Sequence, residues 1–221
     1  LSGVFTESLF LLLLVMSLYY AKTGKWWKAG ISGFFISQKR IWGVFVILPL
    51  FYEYFRQKGF CIRKIERNVL WLFLVPLGLL LFMSYSYWLT GDFFAYFTVQ
   101  KNALGHTFTN PFSTLAEGLS MNNVVIVFCT SLTIAALLLL VVFCKKTDLS
   151  YLFFSLFLII APLMAKPNPT ALPRYVVVAF AMYLVLGKIS KNNSVDHLLT
   201  AVSGVLQGFM MVLFANGFKI I

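Results

Sequence analysis

Long apolar runs, each stopped by a short cluster of lysine or arginine, dominate this sequence. Val4–Ala21 is followed by Lys22, Lys25 and Lys28, and Val124–Phe143 by Lys145 and Lys146. A helix that crosses a bilayer needs about 20 mostly apolar residues. In lipid every backbone N–H and C=O must be satisfied within the chain, so such runs fold as helices. Composition agrees: 60% of the residues are hydrophobic and 11% charged, against roughly 25% charged in a soluble domain. A water-soluble core cannot absorb that apolar excess. The expected fold is all-α, a polytopic transmembrane helical bundle forming one domain over residues 1–221.

The formal net charge is +11, from 18 basic and 7 acidic side chains. The basic residues sit in short loops between apolar runs, which is the positive-inside pattern rather than a nucleic-acid footprint. Membrane lipids with anionic headgroups are the expected partners of those loops. The pattern places membrane segments near 4–21, 29–38, 41–55, 69–88, 124–143, 149–165, 175–187 and 197–216, with an outer loop over 90–123. Pro76 and Gly78 are expected to kink the 69–88 span, and the proline-rich stretch 166–174 is expected to be extended. Residues 92–101 carry aromatics at 93, 94, 96 and 97, which suits a helix lying in the interface.

The stretch 29–55 has Lys39 and Arg40 at its middle. One span would bury two cations, at several kcal/mol. It would also put two basic loops on opposite sides of the membrane. A hairpin avoids both problems: 29–38 rises, Lys39 and Arg40 face the outer side, and 41–55 returns. The cost is a limb only about 15 Å long at 1.5 Å per residue. With this topology 12 basic residues lie inside and 6 outside, which accounts for all 18.

Cys61, Cys129 and Cys144 are far apart, and the latter two lie in apolar runs, as small buried hydrophobes do. His106 and His197 do not pair at metal-ligand spacing. No phosphate-binding glycine loop, serine-hydrolase elbow or zinc-protease motif is present. No cofactor is evident, and nothing in these residues supports a divalent cation. The sequence opens at Leu1 directly into an apolar run, with neither a basic leader nor a cleavage site. It is expected to be the C-terminal part of a longer chain.

Candidate chemistry lies in polar residues at the outer ends of several spans: Glu7, Lys39, Arg40, Asp92, Gln100, Lys101, His106, Arg174 and Tyr175. The topology puts them on one side. Cations there suit phosphate or pyrophosphate, which arginine grips through two parallel hydrogen bonds. Carboxylates suit sugar hydroxyls or proton abstraction. Each residue also has a plainer reading. Glu7 suits a helix N-terminus, Asp92 an N-cap, Arg174 an interfacial anchor, and Lys39 and Arg40 simple topological charges.

Five motifs in order resemble the GPI mannosyltransferase II (PIG-V-like) family and its bacterial relatives. They are Thr6-Glu7-Ser8-Leu9-Phe10, Gly24-Lys25-Trp26-Trp27-Lys28-Ala29-Gly30, Lys39-Arg40-Ile41-Trp42-Gly43, Thr90-Gly91-Asp92-Phe93-Phe94-Ala95-Tyr96-Phe97 with Gln100, and Leu172-Pro173-Arg174-Tyr175. The resemblance implies a GT-C membrane glycosyltransferase. Its donor would be a polyprenyl- or dolichyl-phosphate sugar, by family default mannose, and its acceptor a glycan, lipid or protein on the outer or lumenal side. It implies donor-phosphate binding by Arg40, Arg174 and Lys39. Glu7, Asp92, Gln100, Lys101, His106 and Tyr175 would line the pocket. The catalytic carboxylate of such enzymes lies in an earlier outer loop, so it is expected upstream of Leu1. The sequence departs from the family at Asn102–His106, where an aromatic often follows the glutamine. It departs again at Gln38 and Lys39, which replace a small residue and a threonine. An integral, multi-pass protein of a bacterial plasma membrane is expected, ahead of the endoplasmic reticulum. The alternatives are a transporter or flippase of lipid-linked or anionic substrates, and a non-catalytic assembly subunit.

Overall fold

The computed structural model describes residues 7–104, 109–144, 147–164 and 169–216. Among these residues every regular element is an α- or 3-10 helix. The chain divides into two compact units, residues 6–107 and residues 108–221 together with 1–5.

In the first unit α1 (Glu7–Lys22) and α2 (Trp26–Lys39) form an antiparallel hairpin. The turn between them is a Schellman motif. Gly24 adopts φ +74°, Gly24 N–H bonds Ala21 O, and Lys25 N–H bonds Tyr20 O at 2.9 Å. These bonds take up carbonyls that a helix end leaves orphaned. A 3-10 turn over Ile41–Val46 then leads into α3 (Ile47–Gln57). Arg40 marks the reversal with an extended backbone, φ −146° and ψ 135°. The hairpin expected around Lys39 and Arg40 is therefore present, but its first limb starts at Trp26, not at residue 29, and its return limb is part 3-10. A second Schellman motif ends α3 at Gly59 (φ +65°) and Phe60 (φ +55°), with Phe60 N–H on Phe55 O at 2.8 Å.

A 3-10 segment over Arg67–Phe73 runs into α4 (Leu74–Thr90). The irregularity expected at Pro76 and Gly78 falls instead at Phe73–Leu74. Pro76 occupies the first turn of α4, where its missing N–H costs no helical bond. Gly78 serves packing: a Cβ there would lie 2.3 Å from Phe34 O and 2.3 Å from Ser37 Oγ. Gly30 and Gly33 on α2 are equally tight, since a Cβ added at either would meet Trp71 O at 2.1 Å or Val75 Cγ2 at 2.6 Å, respectively. Thus α2 lies between α1 and α4, with small residues at both contacts. Ser17 of α1 donates to Ala29 O at 3.0 Å, and Ser37 of α2 to Val75 O at 2.7 Å. Lipid tails are as apolar as leucine, so close approach and interhelical hydrogen bonds, rather than hydrophobic burial, hold such helices together. Gly91, at φ +72°, ends α4, and α5 (Ala95–Leu104) follows. Phe94 just before it, and Phe97 and Val99 on it, are exposed.

In the second unit α6 (Pro111–Ser120) lies within the stretch expected as an outer loop. Asn110 caps it through Phe112 N–H. Thr114 of α6 donates to Leu163 O at 3.2 Å on α8 (Leu149–Met164), and Gly118 packs on Thr130 of α7 (Val124–Val142). Asn123 caps α7 by accepting from Val125 and Ile126 N–H. Residues 169–171 form a 3-10 turn, then come α9 (Leu172–Val178), α10 (Phe180–Ile189) and α11 (Asn193–Ala215). Phe128 meets Phe209 edge-on at 4.9 Å, which seats α11 on α7.

Two expectations in this unit are corrected. Residues 169–174 are helical rather than extended, because Pro173 sits at the start of α9, where proline's fixed φ favours a helix. The stretch expected as one span over 175–187 is two helices bent by 67° at Ala179. The helices Arg67–Thr90, Val124–Val142 and Asn193–Leu213 are long and apolar enough to cross a membrane, and the bent pair makes a fourth if it is one span. The remaining expected segments fall on helices α1, α2, α3 and α8, of 16, 14, 11 and 16 described residues. At 1.5 Å per residue these are about 17–24 Å long, short of a 30 Å hydrocarbon core.

Candidate functional site

The structure joins two of the sequence candidates directly. Arg40 Nη2 lies 2.5 Å from Glu7 Oε1, 33 residues away in sequence. The antiparallel α1–α2 hairpin makes this contact, because it brings the start of α1 to the end of α2. Glu7 occupies the first turn of α1, where the helix dipole favours a carboxylate. The Arg40 guanidinium also lies over the Phe10 ring, 5.7 Å from its centroid. The side chains are 17% and 10% exposed, so the pair is largely shielded from water. Lys39, the last residue of α2, is exposed beside it.

Asp92 lies in the link between α4 and α5 and is half-buried. Its Oδ1 accepts from Phe94 N–H at 2.8 Å and its Oδ2 from Thr98 Oγ1 at 3.0 Å. Thr90 Oγ1 accepts from Asp92 N–H at 3.3 Å and donates to Ser86 O. Both carboxylate oxygens thus organise the turn into α5, the capping role open to Asp92 in the sequence. Gln100 and Lys101 lie on α5, and their side chains, like His106 as a whole, fall outside the described residues.

Arg174 and Tyr175 are in the first turn of α9, in the second unit, both half-buried. They lead into the break at Ala179, which sequence reasoning missed. Val-Val-Val-Ala-Phe-Ala contains neither glycine nor proline. The break is compensated by side chains on either side of it. Ala181 N–H donates to Ser155 Oγ of α8 at 2.9 Å, and Tyr183 Oη donates to Val177 O at 2.8 Å. In lipid an interrupted helix survives where hydroxyls re-satisfy the freed backbone groups. Ser155 is fully buried, as its role as acceptor at the break requires. The only sequence signal was a serine and a tyrosine inside otherwise apolar runs.

At the opposite end of the first unit Glu53 is buried and paired with Arg56 at 2.9 Å. Gln57 donates to Glu53 Oε1 at 3.0 Å and to Ala21 O at 2.9 Å, tying α3 to the end of α1. Tyr54 Oη accepts from Glu66 N–H at 2.9 Å. Lys58 bonds Glu66, and that hydrogen bond, followed by the lysine's charge, holds the Glu66 carboxyl below its ordinary value of 4.5. No group of three His, Cys, Asp or Glu suited to a metal occurs among the described residues. Comparison of the chain with protein-family models, curated proteins and solved structures returns no match.

Proposed function

We propose that this chain is part of a GT-C membrane glycosyltransferase that moves a sugar, by the family resemblance mannose, from a polyprenyl- or dolichyl-phosphate donor. The acceptor is a glycan, lipid or protein at the outer or lumenal face. The observation that carries the reading is the shielded Glu7–Arg40 pair where α1 begins and α2 ends. A guanidinium held by a carboxylate and an aromatic face is preorganised, and little side-chain freedom is lost when it meets a phosphate. The resemblance adds Arg174 and Lys39 as phosphate-binding residues and Tyr175 as a pocket-lining one. Asp92 shapes the entry to α5, which carries Gln100 and Lys101. The membrane is more simply a bacterial plasma membrane.

The test is sugar transfer from radiolabelled polyprenyl-phosphate mannose in membranes carrying the full-length protein. Arg40→Ala and Arg174→Ala are each expected to lower transfer at least 100-fold, roughly the scale of losing a charge-assisted contact to a transferring group. Unchanged transfer in both variants removes the assignment.

The break at Ala179 favours a second reading, a transporter or flippase, because interrupted spans line substrate paths in many transporters. Vesicles containing the purified full-length protein distinguish the two. Translocation of a fluorescent lipid phosphate without sugar transfer supports the second reading and refutes the first.

A further inference from the structure

The end of the first unit opposite Glu7 and Arg40 gathers cations from two separate stretches of sequence. Lys25 and Lys28 follow α1, whereas Arg63, Lys64 and Arg67 follow α3. Three contacts bring the stretches together. Gln57 bonds Ala21 O, Trp26 packs edge-on against Tyr54 at 4.9 Å, and Tyr54 Oη accepts from Glu66 N–H.

The carboxylates at this end are already engaged, Glu53 with Arg56 and Glu66 with Lys58. Lys25, Arg63, Lys64 and Arg67 are exposed and pair with no carboxylate among the described residues. Lys28 sits over the Trp27 and Tyr20 rings, 5.2 and 5.3 Å from their centroids. Apolar side chains stand among these charges: Phe60 is 63% exposed and Trp27 48%. Phe60 holds a left-handed backbone, φ +55°, at the end of the α3 Schellman motif. A phenylalanine there is strained, and its ring meets Tyr52 edge-on at 6.0 Å while staying largely exposed.

We propose that this end is a docking surface for anionic phospholipid headgroups, with Arg63, Lys64, Arg67 and Lys25 taking the phosphates and Phe60 and Trp27 seated at headgroup level. The occupant follows from charge and position. A surplus of cations suits anionic groups, and the contacts above gather these cations at one end of the unit with Phe60 and Trp27 exposed among them. Aromatic and basic residues together mark the membrane–water boundary. A soluble phosphate satisfies the cations but gives Phe60 and Trp27 nothing to enter. The site does not rest on the glycosyltransferase reading, since it lies at the other end of the unit and uses other residues.

Native mass spectrometry of the detergent-purified chain tests it, with phosphatidylglycerol, phosphatidylcholine and inorganic phosphate as probes. Phosphatidylglycerol is expected to bind in preference to phosphatidylcholine. Arg63→Gln/Lys64→Gln should weaken it by roughly 30-fold, since each basic residue near an anionic surface contributes about fivefold. Arg63→Lys/Lys64→Arg should retain it, which separates charge from folding. Phe60→Asn, which suits the left-handed backbone, should weaken binding severalfold without altering charge. Equal binding of the two lipids overturns the proposal, as does unchanged phosphatidylglycerol binding in the neutral double variant. Displacement of the lipid by an equal concentration of inorganic phosphate also overturns it, in favour of a soluble anion.

Discussion

Arg40→Ala removes one member of a shielded ion pair and leaves Glu7 without the guanidinium. Breaking a fully buried pair this way costs about 3–5 kcal/mol. Here Arg40 and Glu7 retain 17% and 10% exposure, so part of the carboxylate's cost is relieved by water. Loss of the guanidinium from the Phe10 face adds about 0.5–1 kcal/mol. The expected destabilisation is therefore about 2–4 kcal/mol, from those two terms. Glu7→Gln/Arg40→Ala removes both charges together and should cost less than Arg40→Ala alone. Unfolding of the purified protein in dodecyl sulfate–maltoside mixtures, followed by tryptophan fluorescence, measures all four members of the cycle. A coupling energy of about 1–3 kcal/mol is expected for residues in direct contact. A coupling below about 0.5 kcal/mol refutes the reasoning, because independent sites add to within that margin. The double variant also separates stability from chemistry. Recovered stability with transfer still lost fits phosphate binding by Arg40, whereas recovery of both makes the pair purely structural.

Three further outcomes follow from the packing and the ion pairs. Gly30→Ala pushes a Cβ to 2.1 Å from Trp71 O, so α2 and the 67–73 segment must separate; a loss of about 1–3 kcal/mol or more is expected. Gly204→Ala on α11 meets nothing within 4 Å and should not destabilise in the same assay; at most a gain of about 0.4–1 kcal/mol is expected. Ser155→Ala strands Ala181 N–H at the α9–α10 break, at a cost of about 1–3 kcal/mol. Hydrogen exchange at residues 179–182 should rise there and stay unchanged in Ser150→Ala. Glu66 binds its proton less readily when folded than when unfolded. The Lys58–Glu66 contact therefore contributes fully above pH 4.5 and fades as pH falls through the lower folded-state value. Carboxyl-labelled NMR should show Glu66 titrating below 4.5, and Lys58→Gln should move it back up.

Much of the architecture was legible in residues alone. Apolar run length and the scarcity of charge dictate helices, since no other backbone is satisfied in lipid. The cost of burying Lys39 and Arg40 dictates a reversal there, and the chain does reverse at Arg40. Asp92, after Thr90-Gly91, reads as a helix N-cap; it accepts Phe94 N–H in the turn just before α5, because short polar side chains bond their own neighbouring backbone. These are local matters, decided by residues a turn or two apart.

Three features were not local, and only tertiary structure decided them. Glu7 meets Arg40 because α1 and α2 run antiparallel, a contact no spacing rule contains. Gly30, Gly33 and Gly78 are packing surfaces because α4 and the segment before it cross α2 there, and a glycine's sequence neighbours do not say which backbone will approach it. The span from Leu172 breaks at Ala179, in a stretch with no local breaker. Ser155, on another helix, accepts the Ala181 N–H that an unbroken helix would have satisfied itself. In a membrane an unpaired backbone group costs several kcal/mol. Where such a helix breaks is therefore set by where a neighbouring helix can supply the missing hydrogen bond.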